Sequence, residues 1–245
     1  MGLKFFLRRE MINFHKEPWH SPQGALIREV VFGMNDGLIS TVGFVAGASG
    51  AIKDNHIVLL AALAALFAGT LSMAFGAYLS SKSQVEFFKK EVNRERREIE
   101  EYPESERQEL FEIYGAKGFN ESEVAMIVDR VTKDKNLWLD VMMKEELGLV
   151  QESFDNPWKI AGVMGISFIS GAIIPVIPYF FMAEGNPIGF SVAFSLLALF
   201  CLGIGKARLA NRSLLIGGIE ILLIGSFCAV IGYLLGSLFS GMPGF

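Results

Sequence analysis

The chain has 245 residues, half of them apolar, with 22 Lys and Arg against 26 Asp and Glu. The two populations are segregated: in the stretches 55–81, 160–183, 185–205 and 213–245, Glu220 is the only full charge. Such runs exclude an ordinary soluble core, which alternates apolar and polar residues at the helical period. The slightly acidic balance, net −4, offers no basic footprint for nucleic acid.

In chain order, residues 1–27 are basic and aromatic by turns (Lys4, Phe5, Phe6, Arg8, Arg9, Phe14, Lys16, Trp19). They lack the apolar stretch of a signal peptide and suit a short helix lying on the inner leaflet. Residues 28–81 hold two candidate spans, 29–51 and 55–81. After a charged segment, 82–157, residues 158–245 hold three more, 158–182, 187–206 and 213–239. Each reaches the ~20 residues needed to cross a ~30 Å hydrocarbon core. The expected fold is therefore all-α: a polytopic membrane protein of five transmembrane helices with a cytoplasmic helical domain. Lys and Arg gather in the N-terminal segment, in 82–157, and at Lys206, Arg208 and Arg212, whereas the other loops hold Lys53 alone. By the positive-inside rule the N-terminus is cytoplasmic and the C-terminus outside. Cys201 and Cys228 fall inside spans, where apolar packing is expected rather than a disulfide.

The first span contains Asp36, in Arg28-Glu-Val-Val-Phe-Gly-Met-Asn-Asp-Gly-Leu-Ile-Ser-Thr. A carboxylate within hydrocarbon costs roughly 2.5–3.5 kcal/mol on insertion scales, so an intramembrane acid is by default a functional residue. Met73, on the antiparallel second span, falls at a similar depth and adds a thioether. Small residues surround both: Gly33, Gly37, Gly43 and Gly47 on one helix, and Ala65, Gly69, Ser72 and Gly76 on the other. Such faces permit close helix approach or leave room for a path. Glu220, in the fifth span, has three open roles: pairing with Lys206 or Arg212, snorkelling, or proton relay.

The segment 82–157 carries 19 acids against 12 bases. A helix continuing from the second span is expected to break at Tyr102-Pro103. A second runs from near Glu104 to Gly115–Gly118, a third is capped by Asn120 and Glu123, and a fourth covers 137–147. Glu95 and Glu98, like Glu106 and Glu109, are three apart and share a face. The four are also symmetric about residue 102, so a fold-back there sets Glu98 against Glu106 and Glu95 against Glu109. Converging carboxylates repel unless protonated or bridged by a cation. Met142 and Glu146 share a face, with Met143 offset by about 100°. Thioethers beside carboxylates favour softer transition metals, although Met is equally a routine core filler.

These motifs, in this order, with Leu71-Ser-Met-Ala-Phe-Gly, Gly171-Ala-Ile-Ile-Pro-Val-Ile-Pro-Tyr and Gly205-Lys-Ala-Arg-Leu, resemble the vacuolar iron transporter family from about Arg28 to Tyr233. The resemblance implies a five-span homodimer in the lipid bilayer that moves Fe²⁺, or Mn²⁺, out of the cytoplasm in exchange for protons. It implies no organic cofactor and no catalysis. Asp36 and Met73 fall on the family's transport path, and Glu95, Glu98, Glu106, Glu109, Met142, Met143 and Glu146 on its metal-capturing positions. One departure stands out: where many relatives have Glu after the second-span motif, this chain has Ala77, which puts the proton coupling in question. The first motif is closest to prokaryotic relatives, implying a plasma membrane. Two other readings of the glutamate cluster stay open at this point: a membrane-anchored di-iron oxidase and a metal sensor. Against the oxidase, the segment 82–157 has no His, and ferritin-like di-iron sites pair Glu with Glu-x-x-His.

Overall fold

The computed structural model of the chain describes residues 24–148, 156–182 and 185–240. The expected interfacial helix over residues 1–22 lies outside them. The described residues form eight helices: α1 Gly24–Ala51, α2 Asn55–Glu101, α3 Pro103–Ala116, α4 Glu121–Thr132, α5 Lys135–Glu145, α6 Pro157–Phe181, α7 Pro187–Leu209 and α8 Leu214–Ser240. Five of them, α1, α2, α6, α7 and α8, are long and apolar enough to cross a membrane. The protein is a multi-pass, all-helical membrane protein, as the hydropathy pattern predicts. The chain divides into two compact units, the second spanning Tyr78–Pro157.

The helix ends follow from local chemistry. Asp54 Oδ1 accepts the amide hydrogens of His56 and Ile57 and so starts α2. Pro103 and Pro187 stand at the first positions of α3 and α7, where a missing amide hydrogen costs nothing. Asn120 and Glu123 form the expected capping box of α4. Asp134 accepts from the amides of Asn136 and Leu137, which starts α5 two residues before the expected 137. Gly118 (φ +93°) and Gly148 (φ +62°) take the left-handed conformation that ends α3 and follows α5.

Within the spanning unit, glycine sets the helix spacing. Gly37 of α1 lies against the backbone of Phe168 and Ala172 on α6, and Gly171 of α6 lies reciprocally against Met34 and Leu38. On its other side α1 meets α8, with Gly43 and Gly47 against Gly232 and Gly236. The order of these contacts makes α1, α6 and α8 parallel. Gly203 of α7 meets Gly217 of α8 while Leu199 meets Gly225, so those two are antiparallel. Without a hydrophobic drive between helices in lipid, backbone contact of this kind provides the packing. Apolar side chains cover the outside; Leu60, Ile166 and Phe227 are each more than 60 % exposed, as a lipid-facing surface requires.

A Cβ at Gly37 would sit 2.9 Å from the Ala172 nitrogen. Gly37→Val should therefore destabilise the bundle by about 1–3 kcal/mol, read as a lowered melting temperature in detergent. Gly205→Ala, with open space at its Cβ, should leave that temperature unchanged or slightly raised.

Candidate functional site

In the Tyr78–Pro157 unit, three helices deliver carboxylates to one place. Glu95 comes from α2, Glu106 from α3, and Glu146 caps the end of α5, its amide N–H donating to the Met142 carbonyl. Oxygen atoms of the three lie within 4.8 Å of one another. Glu95 and Glu106 are only 3 % and 5 % exposed. Glu95 Oε1 and Glu106 Oε2 are buried without a hydrogen-bond partner among the described residues.

The unit's apolar core explains this convergence. Ile99, Leu110 and Met142 belong to one buried cluster, completed by Val124, Val128, Val131 and Trp138. Each clustered glutamate stands four residues from one of the first three: Glu95 from Ile99, Glu106 from Leu110, Glu146 from Met142. Residues four apart share a helix face, so the stripes that build the core run one turn further into the acidic seam.

Glu91, Glu98 and Glu109 complete the surroundings. Arg94 Nε donates to Glu98 Oε1 at 3.0 Å, and its Nη1 lies 3.8 Å from Glu91 Oε2. Glu98 and Glu109 act on the inner carboxylates through their charge. Burial, followed by repulsion from Glu146 and Glu106, pushes Glu95 up to about 8. Burial also raises Glu106 and Glu146, with Glu109 as the leading repulsive neighbour of each. Glu95 thus holds a proton near neutrality unless a cation replaces it.

Of the sequence-derived ligand set, the structure brings Glu95, Glu106 and Glu146 together, with Glu98 and Glu109 alongside. The mirror pairing about residue 102 differs from what is observed: Glu95 stands by Glu106 rather than Glu109. Equal distance from a turn does not ensure facing, because each residue rotates the side chain by about 100°. Met142 is fully buried in the apolar core, and Met143 is 4 % exposed. Glu91, 8 % exposed, went unselected in the sequence; its spacing of four from Glu95 is the signal that points to it.

The second site lies within the spanning unit. A groove of about 290 Å³ is lined by Asp36, Ser40, Thr41 and Phe44 of α1, by Ala65, Gly69, Ser72 and Met73 of α2, and by Phe168 of α6. The depth match between Asp36 and Met73 is therefore real in space. Ser40 Oγ donates to the Asp36 carbonyl at 2.6 Å, and the Asp36 carboxylate has no hydrogen bond or ion pair among the described residues. Gly69 gives the Phe168 ring its place, since a Cβ there would lie 2.7 Å from the ring. Gly33 and Gly37 serve packing on α6 and Gly43 and Gly47 on α8, whereas Gly76 faces open space. Glu220 lies 3.7 Å from Lys206, one of the partners open to it. Cys201 and Cys228 are free thiols.

A groove of this volume accommodates an ion with several waters, each taking about 30 Å³. Five long apolar helices define a multi-pass membrane protein. The chain belongs to the VIT family, which it matches over residues 27–237. It is 32 % identical to vacuolar iron transporter 1 of Oryza sativa subsp. japonica, over 89 % of this chain and 87 % of that protein. It is 31 % identical to vacuolar iron transporter 1 of Arabidopsis thaliana, over 93 % and 91 %. With the vacuolar iron transporter of Plasmodium berghei the identity is 32 %, over 89 % and 84 %. Family and relatives are transporters, not enzymes, which sets the oxidase reading aside.

The raised carboxyls fix the sign of a pH effect. A carboxyl whose folded value exceeds its unfolded 4.5 stabilises the fold at low pH, and that contribution disappears as pH rises through the folded value. Without metal, the unit should melt at a lower temperature at pH 8 than at pH 5, followed by Trp138 fluorescence in a background with Trp19→Phe and Trp158→Phe. Glu95→Gln should flatten this dependence, and Mn²⁺ added at pH 8 should restore stability to the parent protein more than to the variant.

Proposed function

We propose that this protein is a divalent-metal transporter, with Fe²⁺ as cargo and Mn²⁺ as an alternative. In this reading it moves the ion out of the cytoplasm, across a prokaryotic plasma membrane, in exchange for protons. The observation that carries the proposal is the glutamate seam: two buried carboxylates, Glu95 and Glu106, each with an oxygen that has no partner among the described residues, within 4.8 Å of the exposed Glu146. A divalent cation removes the repulsion there and satisfies the oxygens at once. The seam is the capture station, with Glu95, Glu106 and Glu146 as inner ligands and Glu98 and Glu109 as the outer pair. Met142 and Met143, on the turn leading to Glu146, supply the softer donors. Asp36 and Met73 form the station within the membrane, an oxygen and a sulfur that suit Fe²⁺ or Mn²⁺ better than Mg²⁺ or Ca²⁺.

The orientation follows from charge. The Lys and Arg distribution puts the N-terminus and the 82–157 segment in the cytoplasm, and an odd number of spans puts the C-terminus outside. Homodimerisation is supported by the groove itself. Ser40, Phe44 and Ser72 are exposed along it, and a second copy facing it would remove Asp36 from lipid. Ala77 leaves proton exchange to the groups that remain, of which Asp36 is the one lining the groove.

Metal uptake into inside-out vesicles, with and without a pH gradient, tests the reading. Asp36→Ala should lower Fe²⁺ flux about tenfold or more and Met73→Ala by a smaller factor; unchanged flux in both removes the proposed path. Replacing Glu95 and Glu109 together by Ala should weaken capture, seen as flux lost at low metal concentration and recovered at high. Metal binding without any flux in the parent protein would instead make it a sensor.

A further inference from the structure

Helix α6 is weakened at one place. Pro175 and Pro178 lie inside it, and each lacks the amide hydrogen that would bond the carbonyl four residues back. The carbonyls of Gly171 and Ile174 thus lose their helical donors, so two successive turns are each short of one bond. Two hydroxyl bonds hold the same stretch from neighbouring helices. Ser191 Oγ of α7, fully buried, donates to the Pro175 carbonyl at 2.6 Å. Ser49 Oγ of α1 and Tyr179 Oη share a hydrogen bond of 2.5 Å. Tyr179 is 2 % exposed and belongs to an apolar cluster with Val45 of α1, Val58 and Ala62 of α2, and Val176. Met73 packs against that cluster, and so does the ring of Phe168, which walls the groove. On the side of the Lys53–Asp54 turn, α1, α2 and α6 are therefore sealed by apolar side chains, with one hydroxyl pair set among them.

We propose that residues 174–181 of α6 are a hinged latch that closes this end of the Asp36–Met73 groove, with the Ser49–Tyr179 hydrogen bond as its catch. A phenylalanine would fill the same apolar space, and a buried hydroxyl is costly unless bonded; the catch is needed for its direction, not for volume. While the seal is dry the two hydroxyls have only each other. Once water enters it can replace both partners at little net cost, so the bond resists the first opening and then no longer opposes it. The prolines let the end of α6 move without breaking further backbone bonds. The purpose of the latch rests on the transport reading above; its geometry does not.

Cysteine accessibility tests it on the full chain in vesicles. In a background with Cys201→Ser and Cys228→Ser, Val58→Cys places a thiol in the seal and Ala229→Cys places one in a separate buried cluster. A membrane-impermeant methanethiosulfonate is applied from the side of the Lys53–Asp54 turn. Tyr179→Phe and Ser49→Ala should each speed labelling at position 58 about three- to tenfold. The double variant should be no faster than either alone, and labelling at position 229 should not change. Unchanged labelling at 58 in both single variants overturns the latch, as does an equal rise at 229, which would show general loosening. Fe²⁺ flux is read separately in the same vesicles, as efflux of preloaded metal toward the side of the Lys53–Asp54 turn. Flux with unaltered labelling removes the latch alone, whereas the expected labelling without flux in the parent removes the transport reading and keeps the latch.

Discussion

A carboxylate taken out of water must find a proton, a hydrogen-bond donor or a cation, and the sites in this protein are arranged around that requirement. In the Tyr78–Pro157 unit, Glu95 and Glu106 are buried, each with one oxygen that has no hydrogen-bond partner among the described residues. In the spanning unit, Asp36 sits in a groove whose other polar groups are hydroxyls. Elsewhere several acids are paired in ordinary ways: Glu29 with Arg28, Asp140 with Lys144, Glu220 with Lys206.

The scaffold uses two kinds of packing suited to two solvents. Where lipid surrounds the helices, glycine brings backbones together, because burying apolar surface gains nothing against hydrocarbon. In the charged unit, Ile99, Leu110, Val128 and Met142 form a small conventional core, driven by the removal of apolar surface from water. Helix α2 contributes to both, apolar around Val58, Ala62 and Leu66, and charged from Lys82 onward.

Hydropathy made the five long helices legible, because runs of twenty apolar residues have few alternative readings. Local capping chemistry likewise revealed α4 through Asn120 and Glu123. Asp36 and Met73 could be paired from depth alone, since antiparallel spans of similar length put equal distances from their ends at equal heights. The glutamate seam was legible in membership but not in geometry. Which of Glu106 and Glu109 faces Glu95 depends on helix rotation after a one-residue break at Tyr102, and no pattern in the sequence fixes that angle. Met142 shows a further limit: the same i, i+4 spacing that suggests a ligand beside Glu146 also describes a core residue that holds Glu146 in place. The Ser49–Tyr179 contact joins residues 130 positions apart, a distance at which single-sequence reasoning has no signal.

The spacing of four between core and seam has a thermodynamic reach beyond the site. Ile99, Leu110 and Met142 anchor the same turns that aim Glu95, Glu106 and Glu146, so ordering the core and assembling the ligands are one equilibrium. Under the proposed capture role, a cation bound to the seam would stabilise the folded unit, and by reciprocity anything that loosens the core would lower the apparent affinity. Leu110→Val or Ile99→Val, which touch no carboxylate, would act as affinity mutations. Descendants of this protein could thus be retuned to different metal concentrations by hydrophobic drift in the core, with every charged residue left in place.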